Sequence, residues 1–150
     1  MAITTKPRLG RARVEALLAA VHPDPVTRIE PLPEGEDSQV VRFQARDQWY
    51  VLRLRPSAAG FRKDAYAAAH CASAALPIPH VVRIGAVDDT LAYCLSAYVA
   101  GTTVQDLDGP ALDATLPQVL ALHEALARVP TPRTTGFGAF DADGVAPAPS

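Results

Sequence analysis

Asparagine is absent from the 150-residue chain, methionine and tryptophan occur once each, and there are only two cysteines. Cys71 and Cys94 have no paired spacing, and two lone thiols fit a reducing cytoplasm rather than a disulfide framework. Long apolar runs are missing too: none approaches the ~20 residues that a bilayer span requires. Met1 to Gly10 carries charge with no apolar stretch behind it, so a secretory signal is not expected. Nor is there an excess of one charge. A formal net charge of -2 gives no electrostatic case for nucleic acid or an anionic membrane surface. Lysine is nearly lacking, with two against twelve arginines, and none lies between Lys6 and Lys63.

What is present is apolar. At 49% hydrophobic, the chain holds enough for one compact core and is too short to expect two. Val14, Leu17, Leu18 and Val21 recur at helical spacing and predict an amphipathic helix over Arg11 to Val21, broken by His22-Pro23-Asp24-Pro25. Val26 to Leu32, Gln39 to Ala45 and Trp49 to Leu54 read as strands rich in β-branched and aromatic residues. The acidic segment Pro33 to Ser38 joins the first two, and Arg46-Asp47-Gln48 turns into the third. After a loop from Pro56 to Gly60, the alanine-rich run Phe61 to Leu76 predicts a helix closed by Pro77. Val81 to Val87 and Leu91 to Tyr98 form a second hairpin turning at Asp88-Asp89, and Gly101 ends it. Asp108-Gly109-Pro110 is a helix-start signal. Thr115-Leu116-Pro117-Gln118 reads as a capping box opening a stronger helix, with Leu116, Val119, Leu120, His123 and Leu126 on one face and Pro130 and Pro132 as its stop. No internal repeat is present. The order predicts an α+β fold around a five-stranded, mainly antiparallel sheet.

Few residues carry candidate chemistry. Arg53 lies mid-strand, with Leu52 and Leu54 facing the other way in the pleat. A lone strand arginine is commonly a solvent-facing residue. The alternative is a cation held beneath a nucleotide's phosphates, where a lysine usually serves and the arginine fork also fits. Asp64, early in the following helix, either pairs with Arg53 or compensates the helix dipole. Pro33-Glu34-Gly35-Glu36-Asp37-Ser38 occupies the position of a phosphate-covering loop, yet only Gly35 gives it backbone freedom, and its three carboxylates should repel phosphate unless a metal or inward-pointing amides intervene. By composition it is an ordinary acidic turn. Ser96-Ala97-Tyr98-Val99 ends a strand and is either a hinge against an adenine ring or plain core. His123 reads as a packed histidine making one hydrogen bond, and His70-Cys71 lack partners at zinc-ligand spacing.

Taken together, several short words are recognisable: Glu34-Gly35-Glu36-Asp37-Ser38, Tyr50-Val51-Leu52-Arg53, Gly60-Phe61-Arg62-Lys63-Asp64 and Ala72-Ser73-Ala74-Ala75-Leu76-Pro77-Ile78-Pro79. Tyr93-Cys94-Leu95-Ser96, Gln105-Asp106-Leu107 and Thr135-Gly136-Phe137-Gly138 follow in order. Through them the chain resembles the N-terminal lobe of aminoglycoside phosphotransferases, above all the hygromycin B phosphotransferase type. The resemblance covers most of residues 14–144 and implies a protein-kinase-like N-terminal lobe with a helix packed on its sheet. It implies a helix and linker over 1–25, an ATP-binding lobe with its hinge over 26–104, linker helices over 105–133 leading toward a further lobe, and a loop or disordered tail over 134–150. It places Arg53 at the cation under ATP phosphates, Asp64 at its helix partner, and Gly35 and Ser38 in the phosphate-covering loop. Ala97 and Val99 take the hinge positions, with Ser96 at the gatekeeper place.

The implied activity is transfer of the ATP γ-phosphate, with magnesium, to a hydroxyl of an aminoglycoside-like acceptor in the cytoplasm. The family's second lobe supplies an H-x-D-x-x-x-x-N loop and a later metal-binding aspartate. Neither pattern is present: without asparagine the loop cannot be written, and the lone His22-Pro23-Asp24 precedes the first strand, with Ile29 in the asparagine place. The chain alone is therefore expected not to transfer phosphate. Two other readings stand beside this one: a non-catalytic nucleotide-binding or interaction module, and a kinase lobe acting on another hydroxyl metabolite such as a sugar, choline or homoserine. Leu120, Leu126 and Val129 are expected to form an exposed apolar patch that favours self-association.

Overall fold

A computed structural model describes residues 6, 8–130, 135, 136, 138, 140, 141 and 143–146. The elements run α1 (Arg11–Val21), β1 (Val26–Pro31), β2 (Gln39–Ala45), β3 (Gln48–Arg55), α2 (Ala59–His70), β4 (Val81–Asp88), β5 (Leu91–Ala97), a 3-10 turn (Val104–Asp106) and α3 (Gly109–Ala127). The strands form one five-stranded sheet in the order β1-β2-β3-β5-β4, and every neighbouring pair is antiparallel.

Strict alternation gives the sheet two different faces. Val41, Phe43 and Ala45 of β2, Leu52 and Leu54 of β3, and Leu91, Tyr93 and Leu95 of β5 all point to one side. There they meet Val14 and Leu18 of α1 and Leu9 before it. Fully burying such a side chain stabilises by about 1.5–3 kcal/mol, so α1 is held by its buried face rather than by end capping. The buried Gln39 side chain fastens the entry segment: its Oε1 accepts from the Leu9 amide at 2.7 Å and its Nε2 donates to the Leu9 carbonyl at 3.0 Å.

The opposite face is only partly covered. Phe61 of α2 packs on Ala92 and Cys94, with Val81 and Ile84 beside them. The remainder of that face, carrying Val51, Arg53 and Ser96, floors a cleft.

Three local expectations are corrected. The helix read as Phe61 to Leu76 is Ala59–His70. The Cys71 amide closes it on the Ala67 carbonyl, and Ser73 and Leu76 then exchange backbone bonds of 3.0 and 3.1 Å in a separate turn. Helix propensity in the alanine run loses to a serine-stabilised turn, because residues 72–76 have little to bury. The capping box at Thr115 is not used: α3 is continuous from Gly109, capped by the Asp108 carboxylate accepting from the Ala111 amide at 2.9 Å. Thr115 Oγ1 instead donates to the Ala111 carbonyl at 2.8 Å, one turn before the internal Pro117. His123 is exposed rather than packed, because α3 buries none of its residues. Pro132, Phe137 and much of the tail from 134 to 150 lie outside the described residues. Within the described part, Thr135 bridges to Val145.

Candidate functional site

The pleat of β3 turns Arg53 away from the core, and α2 crosses above it. Arg53 Nη1 lies 2.8 Å from Asp64 Oδ2, and Nη2 donates to Cys94 Sγ at 3.6 Å. The guanidinium carbon stands 5.2 Å from the Phe61 ring centroid, a cation–π arrangement. Burial pushes the Cys94 thiol's pKa up against the lowering pull of Arg53, which keeps the sulfur a neutral acceptor. Three neighbours thus fix a fork that has five N–H donors, leaving others for a ligand.

The cleft holds roughly 630 Å³, within the range of small-molecule sites. Val51 and Ser96 join Arg53 on its floor, Asp64 and Ala67 form one wall, and Leu32 and Pro33 lean over it. Ile78, Pro79 and Val81 add apolar surface, and residues from Ala97 to Asp106 close the far end. Apolar walls with a single cation–carboxylate pair suit a flat heterocycle joined to an anionic group.

At the far end, the Ala97 amide donates to the His80 carbonyl at 2.9 Å and the Tyr98 amide to the Trp49 carbonyl at 3.1 Å. Val99 differs. Its side chain is 67% exposed, and among the described residues nothing accepts from its amide. Arg42 steadies this edge: its Nη1 donates to the Tyr98 hydroxyl at 3.1 Å, its Nε to Glu30 at 2.8 Å, and it lies over the Trp49 ring at 4.7 Å. The Arg42 hydrogen bond is the main reason that the Glu30 carboxyl sits below its ordinary pKa.

The β1–β2 connection behaves otherwise than its composition suggests. Glu34 pairs with Lys6 at 2.6 Å and Arg8 at 3.0 Å, and accepts from the Val40 amide at 3.1 Å. The Lys6 hydrogen bond, with smaller help from Val40 and Arg8, lowers its pKa. Asp37 pairs with Arg55 at 2.8 Å. Two of the three carboxylates are therefore already neutralised by cations.

Arg53, Asp64, Ser96, Ala97 and Val99 all line the one cleft, whereas Gly35 and Ser38 do not. Gly35 adopts no positive φ, so its position demands no glycine-only backbone. Asp106, which accepts from Thr103 Oγ1 at the cleft's end, stands in the sequence only as part of the word Gln105-Asp106-Leu107, with no site role; its place depends on how the chain returns after β5. His22 packs edge-on against Phe43 with centroids 5.5 Å apart, while Asp24 pairs with Arg46 at 2.7 Å. Among the described residues, no three His, Cys, Asp or Glu side chains gather to hold a metal ion, and no helix is long and apolar enough to cross a membrane.

Residues 28–149 match the model of the phosphotransferase enzyme family. The chain is 41% identical over 140 residues to the hygromycin-B 4-O-kinase of Escherichia coli, covering 93% of this chain and 41% of that protein. The crystal structure of aminoglycoside phosphotransferase APH(4)-Ia superposes with a TM-score of 0.87 at 38% identity, over 93% of this chain and 47% of that one. A thermostable mutant of the same protein, in ternary complex with AMP-PNP and hygromycin B, gives 0.84 at 39% identity over 90% and 45%. The chain spans under half the length of these relatives. Their kinase-like N-terminal lobe is the part it matches, with the same five-stranded antiparallel sheet.

Proposed function

The chain belongs to the phosphotransferase enzyme family, and from that membership we propose that it is the ATP-binding lobe of an aminoglycoside O-phosphotransferase of the hygromycin type. The observation that carries this reading is the Arg53–Asp64 pair, 2.8 Å apart inside an apolar cleft that ends at the Val99 amide, which has no acceptor among the described residues. Adenine lies between Leu32, Val51 and Ile78, its edge against the backbone from Ala97 to Val99, with the Val99 amide as donor and Ser96 behind. The phosphates extend toward Arg53. Asp64 holds the guanidinium in place. The β1–β2 connection, which reaches the cleft through Leu32 and Pro33, covers the phosphates, with Gly35 and Ser38 at the outer part of that cover rather than in the cleft lining. Phosphoryl transfer depends on positioning and charge neutralisation, and Arg53 contributes to both.

The acceptor in this reading is a hydroxyl of a hygromycin-like aminocyclitol, since the related APH(4)-Ia mutant forms a ternary complex with AMP-PNP and hygromycin B. Magnesium is the family's counterion for the phosphates, but the described residues do not fit it as a ligand set: Asp64 is committed to Arg53 and Asp106 to Thr103. No residue pattern here accepts the proton of the acceptor hydroxyl, so these 150 residues bind and orient the nucleotide and do not transfer phosphate on their own. That missing pattern also favours the second reading, a nucleotide-binding or interaction module. An H-x-D-x-x-x-x-N sequence encoded downstream would decide for the kinase. The setting we assign is the cytoplasm, where ATP is available, and the apolar face of α3 supports self-association of the chain taken alone.

Thermal unfolding with Mg-ATP tests the binding claim. At 100 times its dissociation constant the nucleotide should add about 2.7 kcal/mol of stability. Arg53→Ala should lose most of that increment while adenosine still binds. An equal shift for both proteins would remove Arg53 from the phosphate site, and phosphorylation of hygromycin B by the chain alone would overturn the division of labour.

A further inference from the structure

An acidic segment is a poor cover for phosphates, yet Glu34, Glu36 and Asp37 stand where the nucleotide reading puts that cover. The geometry around Asp37 explains its presence. Arg55 lies two residues beyond Arg53 on the same face of β3, and its Nη2 bonds Asp37 Oδ2 at 2.8 Å. Neither residue lines the cleft. On its other side the Arg55 guanidinium lies against the first turn of α2: a Cβ built on Gly60 would come within 2.7 Å of Nη1, and the Phe61 centroid is 6.0 Å from the guanidinium carbon. Phe61 is also the ring beneath Arg53. The cation therefore joins the β1–β2 connection to the start of the helix that carries Asp64.

We infer that Arg55 is a positioning residue: with Asp37 it latches the β1–β2 connection onto α2, so that the loop and the Arg53–Asp64 pair are held as one unit over the phosphates. The inference rests on the nucleotide reading above. Asp37 then serves as a fastener, and its charge is cancelled before phosphate arrives. Gly60 belongs to the latch because its missing side chain is the space that the guanidinium occupies.

Calorimetric titration of ATP and adenosine into the chain and its variants separates a latch from simple charge. If Asp37 were only a negative charge near the phosphates, Asp37→Asn would tighten ATP. As a latch, Asp37→Asn and Arg55→Ala each weaken ATP by up to about fivefold, the ceiling for a pair with 73% and 31% exposed side chains, and leave adenosine unchanged. Gly60→Ala should do the same with both charges intact, by displacing the guanidinium, and Arg55→Lys should restore part of the affinity. The double variant should bind no more weakly than either single one. Tightening by Asp37→Asn, or a further loss from Arg55→Ala in the Asp37→Asn background, would overturn the latch; the second result would make Arg55 a direct phosphate ligand. Failure of the unaltered chain to bind ATP would overturn the nucleotide reading and the latch with it, whereas normal binding by every variant would overturn the latch alone.

Discussion

Gly85 of β4 lies opposite Tyr93 of β5, and the ring fills the place of the missing side chain: an added Cβ would meet the ring and its hydroxyl at 2.6 Å. Tyr93 is buried against the α1 side of the sheet and has little room to retreat. Gly85→Ala should destabilise the fold by about 1–3 kcal/mol, measured by urea unfolding, as overpacked cores do. An unchanged midpoint would show that the ring yields freely. At the same scale, Arg53 and Asp64 were legible as candidate partners because one strand and the next helix fix their relative placement. Cys94 and Phe61, which hold the same guanidinium, were not, since their approach depends on β5 pairing with β3 and on the angle of α2. The acidic loop was misread in one respect: charge alone was visible, while the partners Lys6 and Arg55 lie 28 and 18 residues from Glu34 and Asp37 respectively.

Among the elements, α1 followed from its helical spacing, and β2 and β3 from their β-branched and aromatic content. Each buries a defined face, so local pattern and tertiary demand agree. β1 has no buried residue and was legible from its content alone. Agreement fails where burial is slight. The end of α2 and the start of α3 were set by serine, threonine and aspartate side chains choosing among several backbone partners. The β1–β2 connection has its own pH dependence. Glu34 is held below its ordinary value of 4.5, mainly by the Lys6 hydrogen bond, so its contribution is complete above that value and is lost as the pH falls through the lower folded one. The stability difference between the chain and Glu34→Gln should accordingly be constant above about pH 5.5 and shrink in more acidic buffer. A difference that persists to the acid limit would remove the Lys6 pairing as its source.

For the molecule as a whole, burial is uneven. The core lies on the α1 side of the sheet, whereas helix α3 presents Leu112, Leu116, Leu120 and Leu126 to solvent, the last two at 64% and 57% exposure. An apolar surface of this kind favours association. Light scattering on the chain should show an apparent mass rising with concentration, and Leu120→Glu with Leu126→Glu should return it to the monomer. A concentration-independent monomer before substitution would contradict that reading. The alternation of β3 and β5 has another consequence. Leu52, Leu54 and Leu95 belong to the α1 side; on the other, Arg53 and Ser96 line the cleft and Cys94 packs beneath Phe61. A single-residue insertion or deletion in either strand would exchange that strand's two inventories, in β3 driving a guanidinium into hydrocarbon and leucines into the cleft. These strands tolerate a change of letter far better than a change of length, so length variation has to be accommodated in the turns.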